Sequence, residues 1–443
     1  MKEQKASKRQ LLLIASLIFG LFFGAGNLIF PVQLGQMAGH HWLPAVIGFL
    51  LTGAVLPFLA MLAMALTKSK SVFDIAAPVG AWFGTAMLVA IHFSLGPLFA
   101  TPRTAATAFS MGIAPLIPSA YQQLAMLIFS GLFFLLVYKM TLKESNLMDW
   151  VGKYLNPLFL LLLALILVLA LVLPMGDLQQ HVSGAYQTQA AFQGILEGYN
   201  TMDCLALLAL AVSVVYAVRN MGFSEKAVPK LLAKSGLLAI ALESFIYIAT
   251  ALLGVSSLGI MGVSPNGGAA FSNIVTHYLG NAGIIATGII VTLAVITTAM
   301  GLSASFAQDL HKVFPTITYK NWLRLTAVGS FLTANAGLTK IIAFSTPVLL
   351  FLYPFTLALT ILAVLHRWTK QEPIIYRLVM AFIAIPALLD GLLASPLASE
   401  NWVKGIATAY HHYLPLAAEG FGWVLPAVIG GLIGFALSKK KLA

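Results

Sequence analysis

Two short stretches carry residue types and spacings that could bind small charged species inside an apolar medium. The first is Gly24-Ala25-Gly26-Asn27, with Gly20 before it and Pro31 after it, in the middle of LLLIASLIFGLFFGAGNLIFPVQLGQMAG. Glycine costs about 1 kcal/mol and proline about 3 kcal/mol in a helix interior, so a helix through this run should open there. The second is Glu197-Gly198-Tyr199-Asn200-Thr201 followed by Asp203, within AAFQGILEGYNTMDCLALLALAVSVVYAVR. An acid near the centre of a bilayer costs at least about 2.5 kcal/mol and marks a functional site by default. An opened helix presents free N–H groups to an anion and free carbonyls to a cation, and an amino acid zwitterion carries both charges. Plainer readings stay open. Glycine-rich runs also let helices pack closely, Glu197 suits the outer headgroup level, and Asp203 suits a structural pair with another helix.

Both stretches need membrane-spanning elements to hold them. Of the 443 residues, 60% are hydrophobic and 9% are charged, against about 25% charged in an ordinary soluble domain. Apolar runs of about 20 residues, the length of one crossing, recur from end to end. The chain therefore reads as an all-α polytopic membrane protein. A secreted enzyme, a nucleic-acid binder and a cytosolic globule are excluded. Twelve spans are expected, at about 11–38, 42–66, 82–111, 121–140, 150–173, 190–219, 231–256, 282–308, 321–336, 341–366, 374–394 and 420–438. Loops are expected at about 174–189, 257–281 and 395–419, and the stretch from Val263 to Tyr278 suits a cap or a re-entrant segment. The net charge of +11 follows from topology. If the N-terminal side is inside, 22 lysines and arginines lie on that side, only Lys340 and Lys404 lie opposite, and Arg103 lies within a span. That asymmetry puts both termini in the cytoplasm. No cleaved leader is expected, and the single cysteine, Cys204, permits no intramolecular disulfide.

The two interrupted spans are the first and the sixth. Five spans separate them, and an odd offset reverses their direction through the bilayer. Gly-interrupted segments at matching positions of two inverted halves point to the binding site of a secondary transporter. No GxxxxGK[ST] nucleotide loop is present, so ATP is not expected to drive the chain.

With these features in place, the sequence resembles the bacterial branched-chain amino acid:cation symporters, the LIVCS family of BrnQ-type carriers. The resemblance rests on FGAGNLIFP (23–31), GPLFATPRTAATAF (96–109), GYNTMDCLA (198–206), TTAMGLSASFAQ (297–308) and STPVLLFLYPFTLALTIL (345–362). It implies the LeuT-like five-plus-five inverted repeat with discontinuous spans one and six. The chain is then a single membrane domain over 1–443. The first repeat lies at 11–173, the inverted repeat at 190–366, and two additional helices at 374–438. It also implies sodium-coupled uptake of leucine, isoleucine and valine by alternating access, in the cytoplasmic membrane of a bacterium, by a protein that is not an enzyme.

By the same resemblance, sodium is held by the carbonyls of Gly20 and Phe23, the carbonyl of Ala294 and the hydroxyls of Thr297 and Thr298. Those threonines equally suit hydrogen bonds to their own helix. Asn27 matches the side-chain ligand of a second sodium, with Thr201 as its candidate partner. The substrate carboxylate is expected at the amides of Ala25 and Gly26, with Gly24 and Gly26 allowing close approach. Its ammonium is expected at carbonyls near Phe23 and Tyr199, within a break that includes Asn200, Thr201 and Asp203. Phe93 and Tyr199 are candidate walls for the aliphatic side chain. The LeuT-like pattern has an arginine in the outer part of its first span, where this chain has Ile29-Phe30-Pro31. Arg103, paired with Glu197, is the substitute gate; alternatively it satisfies backbone carbonyls. His92 is expected to be a packed histidine. The coupling ion is sodium, no organic cofactor is implied, and the partners are the amino acid and the lipid bilayer, with no nucleic acid and no obligatory protein partner. The rivals are a proton-coupled symporter using Asp203, Glu197 or His92, and a sensor that binds amino acid without moving it.

Overall fold

The computed structural model describes residues 6–24, 26–142 and 156–440, and every regular element among them is helical. The expected fifth span, 150–173, therefore begins outside the described residues. The helices that matter here are α1 (Lys8–Phe22), α2 (Gly26–Ala38), α3 (Trp42–Leu50), α4 (Leu56–Thr67), α5 (Ala81–Phe93), α6 (Ala100–Gly112), α7 (Ser119–Leu142), α8 (Asn156–Val172), α9 (Tyr186–Asn200), α10 (Asp203–Asn220), α11 (Val228–Ser257), α12 (Gly267–Val313), α13 (Tyr319–Ala334), α14 (Leu338–Val364), α15 (Pro373–Leu393), α16 (Asn401–Tyr413) and α17 (Val424–Lys440).

Both expected interruptions are present. α1 ends in Phe23, whose backbone is extended at φ −79° and ψ 96°, and α2 starts at Gly26. α9 and α10 are parted by Thr201 and Met202. Met202 is left-handed at φ 63° and ψ 11°, a conformation that costs a side-chain-bearing residue roughly 1–2 kcal/mol.

Seven helices among the described residues are long and apolar enough to cross a membrane, or eight if the bent pair Asp203–Ala211 and Val214–Asn220 is one span. That is fewer than the twelve expected, and the reason is length. The interruptions leave α1 and α9 with 15 residues each, and α13 has 16, whereas one crossing takes about 20. Conversely, Gly26–Thr67 runs for 42 residues, about twice what a single crossing needs. Two expected loops are partly helical. α12 begins at Gly267, where Asn266 Oδ1 accepts from the Ala269 amide at 2.9 Å, and it kinks at Gly280 (φ 59°). α16 occupies 401–413 of the stretch read as a loop at 395–419.

Small residues set the packing around the interruptions. In α9, Gly194 lies against the Ala45 backbone of α3, and Gly198 lies against Thr52 and the Gly53 amide in the π-turn Leu51–Val55. A Cβ at either glycine would overlap its neighbour. The Thr52 hydroxyl donates to the Ile195 carbonyl at 2.7 Å. This is the small-xxx-small arrangement that lets membrane helices approach backbone to backbone. α2 packs on α11, and α6 packs on α12.

Candidate functional site

The two helix breaks meet. At the first, Asn27 Oδ1 accepts from the Gly24 amide at 2.9 Å, so the carboxamide bridges the gap between α1 and α2. At the second, the Thr201 hydroxyl donates to the Gly198 carbonyl at 2.9 Å and accepts from the Asp203 amide at 3.3 Å. The other end of Asn27 joins them: its Nδ2 donates to Asp203 Oδ2 at 2.8 Å. Asp203 stands in the first turn of α10, where the helix dipole favours a carboxylate.

The same Nδ2 reaches Glu243 Oε1 at 3.1 Å and the Tyr247 hydroxyl, both on α11. Tyr247 in turn donates to Glu243 at 2.8 Å. Asn27, Asp203, Glu243 and Tyr247 are at most 7% exposed. A carboxamide has two N–H groups, so it satisfies two of these three acceptors at a time. Glu243 Oε2 is buried with no hydrogen-bond partner among the described residues. Two acids thus share neutral donors, with no basic side chain paired to either among the described residues. Sequence reasoning missed Glu243 and Tyr247. The signal was available, because Glu243 is the only acid in the apolar stretch 231–256.

Arg103 lies on α6 and is 4% exposed. Its Nη1 donates to the Asn200 carbonyl at 2.5 Å and its Nη2 to the Thr201 carbonyl at 3.0 Å. These carbonyls end α9, so the guanidinium caps the negative end of that half-helix. Its charge also lies 5.0 Å above the Phe30 ring of α2. Glu197 does not meet Arg103. Its Oε2 accepts from Asn200 Nδ2 at 3.0 Å, and Asn200 Oδ1 accepts from the Thr346 hydroxyl of α14 at 3.3 Å. Of the two readings of Arg103, the contacts present are those with backbone carbonyls.

The sodium candidates are partly brought together. A Cβ at Gly24 would lie 3.7 Å from Thr298 Cγ2 and 4.0 Å from its Oγ1, so α12 faces the first break at Thr298. The Thr297 hydroxyl donates to the Ala294 carbonyl at 2.7 Å. That bond uses the hydroxyl proton and leaves lone pairs on both oxygens, which suits a hard cation such as sodium. Ala294, Thr297 and Thr298 are half-buried, and one turn on, a Cβ at Gly301 would meet nothing within 4 Å. Phe23 is half-buried and Gly20 is exposed on α1, which packs on α10 and α11.

Ala25 lies outside the described residues. Phe93 stands edge-on to Phe306 of α12, with centroids 5.2 Å apart. Tyr199 stacks on Tyr353 of α14 at 4.0 Å, with Phe421 at its edge. The two expected walls therefore pack on different helices. His92 is buried, its Nε2 3.1 Å from Asp309 Oδ2, and Lys312 bonds the other oxygen at 2.8 Å.

Residues 7–441 match a family described as branched-chain amino acid transport protein. The branched-chain amino acid permease BrnQ of Lactobacillus delbrueckii subsp. lactis is 36% identical over 446 residues, covering 99% of this chain and 100% of that protein. The permease BraB of Bacillus subtilis (strain 168) is 38% identical over 432 residues, covering 96% and 95%. Among solved structures, Mhp1, a nucleobase-cation-symport-1 family transporter closed around bromovinylhydantoin, superposes with a TM-score of 0.63. It covers 97% of this chain and 92% of its own at 12% identity, a likeness of fold alone.

Proposed function

The chain belongs to the branched-chain amino acid transport protein family, and from that premise we propose that it takes up leucine, isoleucine and valine with sodium by alternating access. It is a multi-pass membrane transport protein. The observation that carries the reading is the meeting of two helix breaks through Asn27 and Asp203. Broken spans are tolerated at membrane depth only where they line a cavity or are buried in protein, and their free N–H and carbonyl ends suit the two charges of an amino acid.

The full reading has twelve spans and both termini in the cytoplasm. Spans 1–5 (11–173) and 6–10 (190–366) form inverted repeats, with two further helices over 374–438. The likeness to Mhp1 supports this arrangement, and the distribution of lysine and arginine supports the orientation. Sodium would be held by Gly20, Phe23, Ala294, Thr297 and Thr298. When bound, it supplies a positive charge driven inward by concentration and by voltage, worth about 2.3 kcal/mol per charge per 100 mV. The chain's own residues do the rest. Gly24 and Gly26 keep the first break open to the substrate backbone, Asn27 ties the two breaks together, and Asp203 anchors the start of α10.

A second reading, proton coupling, has one observation on its side. Asp203 and Glu243 share donors with no basic partner among the described residues. Purified protein in liposomes distinguishes the two. An inward sodium gradient should accumulate radiolabelled isoleucine above equilibrium, and a potassium gradient should not.

A further inference from the structure

Arg103 is a buried guanidinium surrounded by two backbone carbonyls and an aromatic face, and among the described residues it forms no ion pair. The carbonyls it holds, those of Asn200 and Thr201, are the negative end of the half-helix α9. They are the acceptors a substrate ammonium would seek. On its other side, Nη2 lies 3.1 Å from where a Cβ on Gly26 would stand, so the guanidinium borders the start of α2, where a substrate carboxylate would arrive.

We propose that Arg103 exchanges partners when substrate binds. Without substrate it holds the Asn200 and Thr201 carbonyls. An α-amino acid offers its carboxylate to the guanidinium and its ammonium to the carbonyls so released. The proposal rests on the reading of these breaks as the amino acid site and adds a selection rule to it. A guanidinium fork matches a carboxylate with two parallel charge-assisted bonds, which are stronger than bonds to neutral carbonyls, so the exchange runs downhill for the arginine. The absence of a side chain at Gly26 lets the start of α2 lie against Nη2, where a Cβ would press on both the guanidinium and the Phe30 ring, so the first amides of that start stand beside the guanidinium that receives the carboxylate. Each half of the exchange needs the other. An amine alone would have to evict a buried cation and give it nothing. A carboxylate alone would leave two carbonyls at a helix end without a donor. The exchange also changes what holds the α9–α10 break to α6, so occupancy of the site is felt by the helix that must move.

Equilibrium binding to the purified full chain in sodium buffer tests this, with leucine and leucinol as probes. Leucinol keeps the side chain and the ammonium but replaces the carboxylate with a hydroxymethyl group. In the unmodified protein, leucinol should bind at least about 100-fold more weakly than leucine, as expected for losing a bidentate charged pair. In Arg103→Gln, leucine should weaken at least about tenfold, while leucinol should bind as well as before or better, because its carbonyls are already free. Arg103→Lys keeps the charge without the fork and should narrow the leucine-to-leucinol ratio part way. It carries the test if Arg103→Gln does not fold. A purely structural arginine would weaken both probes together, and that result, or an unchanged ratio in both variants, overturns the proposal. Failure of the unmodified protein to bind leucine with sodium would overturn the amino acid reading of the site itself.

Discussion

Asn27 and Asp203, 176 positions apart, are joined by a 2.8 Å hydrogen bond from carboxamide to carboxylate. The bond ties the second half of one interrupted helix to the second half of the other. The opposite end of the same carboxamide closes the first break onto the Gly24 amide. One side chain thus fixes both the opening of α1–α2 and its registration against α9–α10.

Asn27→Ala should therefore damage two places at once. The Gly24 amide loses its acceptor and Asp203 loses a donor, each at about 1–3 kcal/mol for a buried group left unpaired. The melting midpoint should fall and isoleucine uptake should drop at least about tenfold, the factor that corresponds to 1.4 kcal/mol. Asn27→Asp should do worse on uptake, because it sets a third carboxyl against Asp203 and Glu243. Equal or better uptake in Asn27→Asp would remove the carboxamide from the site.

Tyr247→Phe isolates the acid pair. The ring stays, edge-on to Phe49 at 5.0 Å, while the hydroxyl that donates to Glu243 is lost. Stability should fall by about 0.5–1.5 kcal/mol, the net worth of one hydrogen bond, because Asn27 Nδ2 still reaches Glu243 Oε1. Thermal unfolding checks this, with Tyr247→Phe measured beside the double variant that adds Glu243→Gln. The neutral carboxamide introduced by the second substitution should recover part of the loss.

Gly198→Ala tests the contact that holds α9 in place. The added Cβ overlaps Thr52 and the Gly53 amide, and overpacking of this kind costs typically about 1–3 kcal/mol. Thr52→Ala should partly rescue it by removing the hydroxyl, although the Thr52–Ile195 bond goes with it. A Gly198→Ala protein with the unmodified melting midpoint would contradict the close packing of α9 on the turn after α3.

His92→Gln separates scaffold from coupling. His92 meets Asp309, which Lys312 already satisfies on its other oxygen. The variant should lose some stability while the sodium dependence of uptake stays the same. A changed coupling ion in His92→Gln would return His92 to the transport path.

Much of this site was legible in the sequence because breaking a helix is a local property. Gly24, Gly26 and Pro31 advertise the first opening, and the polar run from Glu197 to Asp203 advertises the second. What joins them was not legible. Asn27 could be read as a helix breaker or an ion ligand, but its bond to Asp203 depends on tertiary packing of α2 against α9 and α11. Glu243 was readable as a lone acid in an apolar span, yet no helix-breaking residue accompanies it to mark the position. Tyr199 was read as a pocket wall, and its stacking on Tyr353 is a pairing no spacing reveals. The helices at 267–280 and 401–413 sit in stretches read as loops, because they are shorter than the apolar runs that mark a crossing.

The most direct test is uptake of radiolabelled isoleucine into liposomes at fixed pH, comparing the unmodified protein with Thr298→Ala under an inward sodium gradient, a potassium gradient and an imposed proton gradient. Thr298 is the α12 residue that stands against the first break. Accumulation driven by sodium alone, and lost or shifted to at least about tenfold higher sodium in Thr298→Ala as for a missing oxygen ligand, is the expected result. Uptake that ignores sodium, follows the proton gradient and is unchanged in Thr298→Ala would contradict the sodium site and move coupling to Asp203 and Glu243.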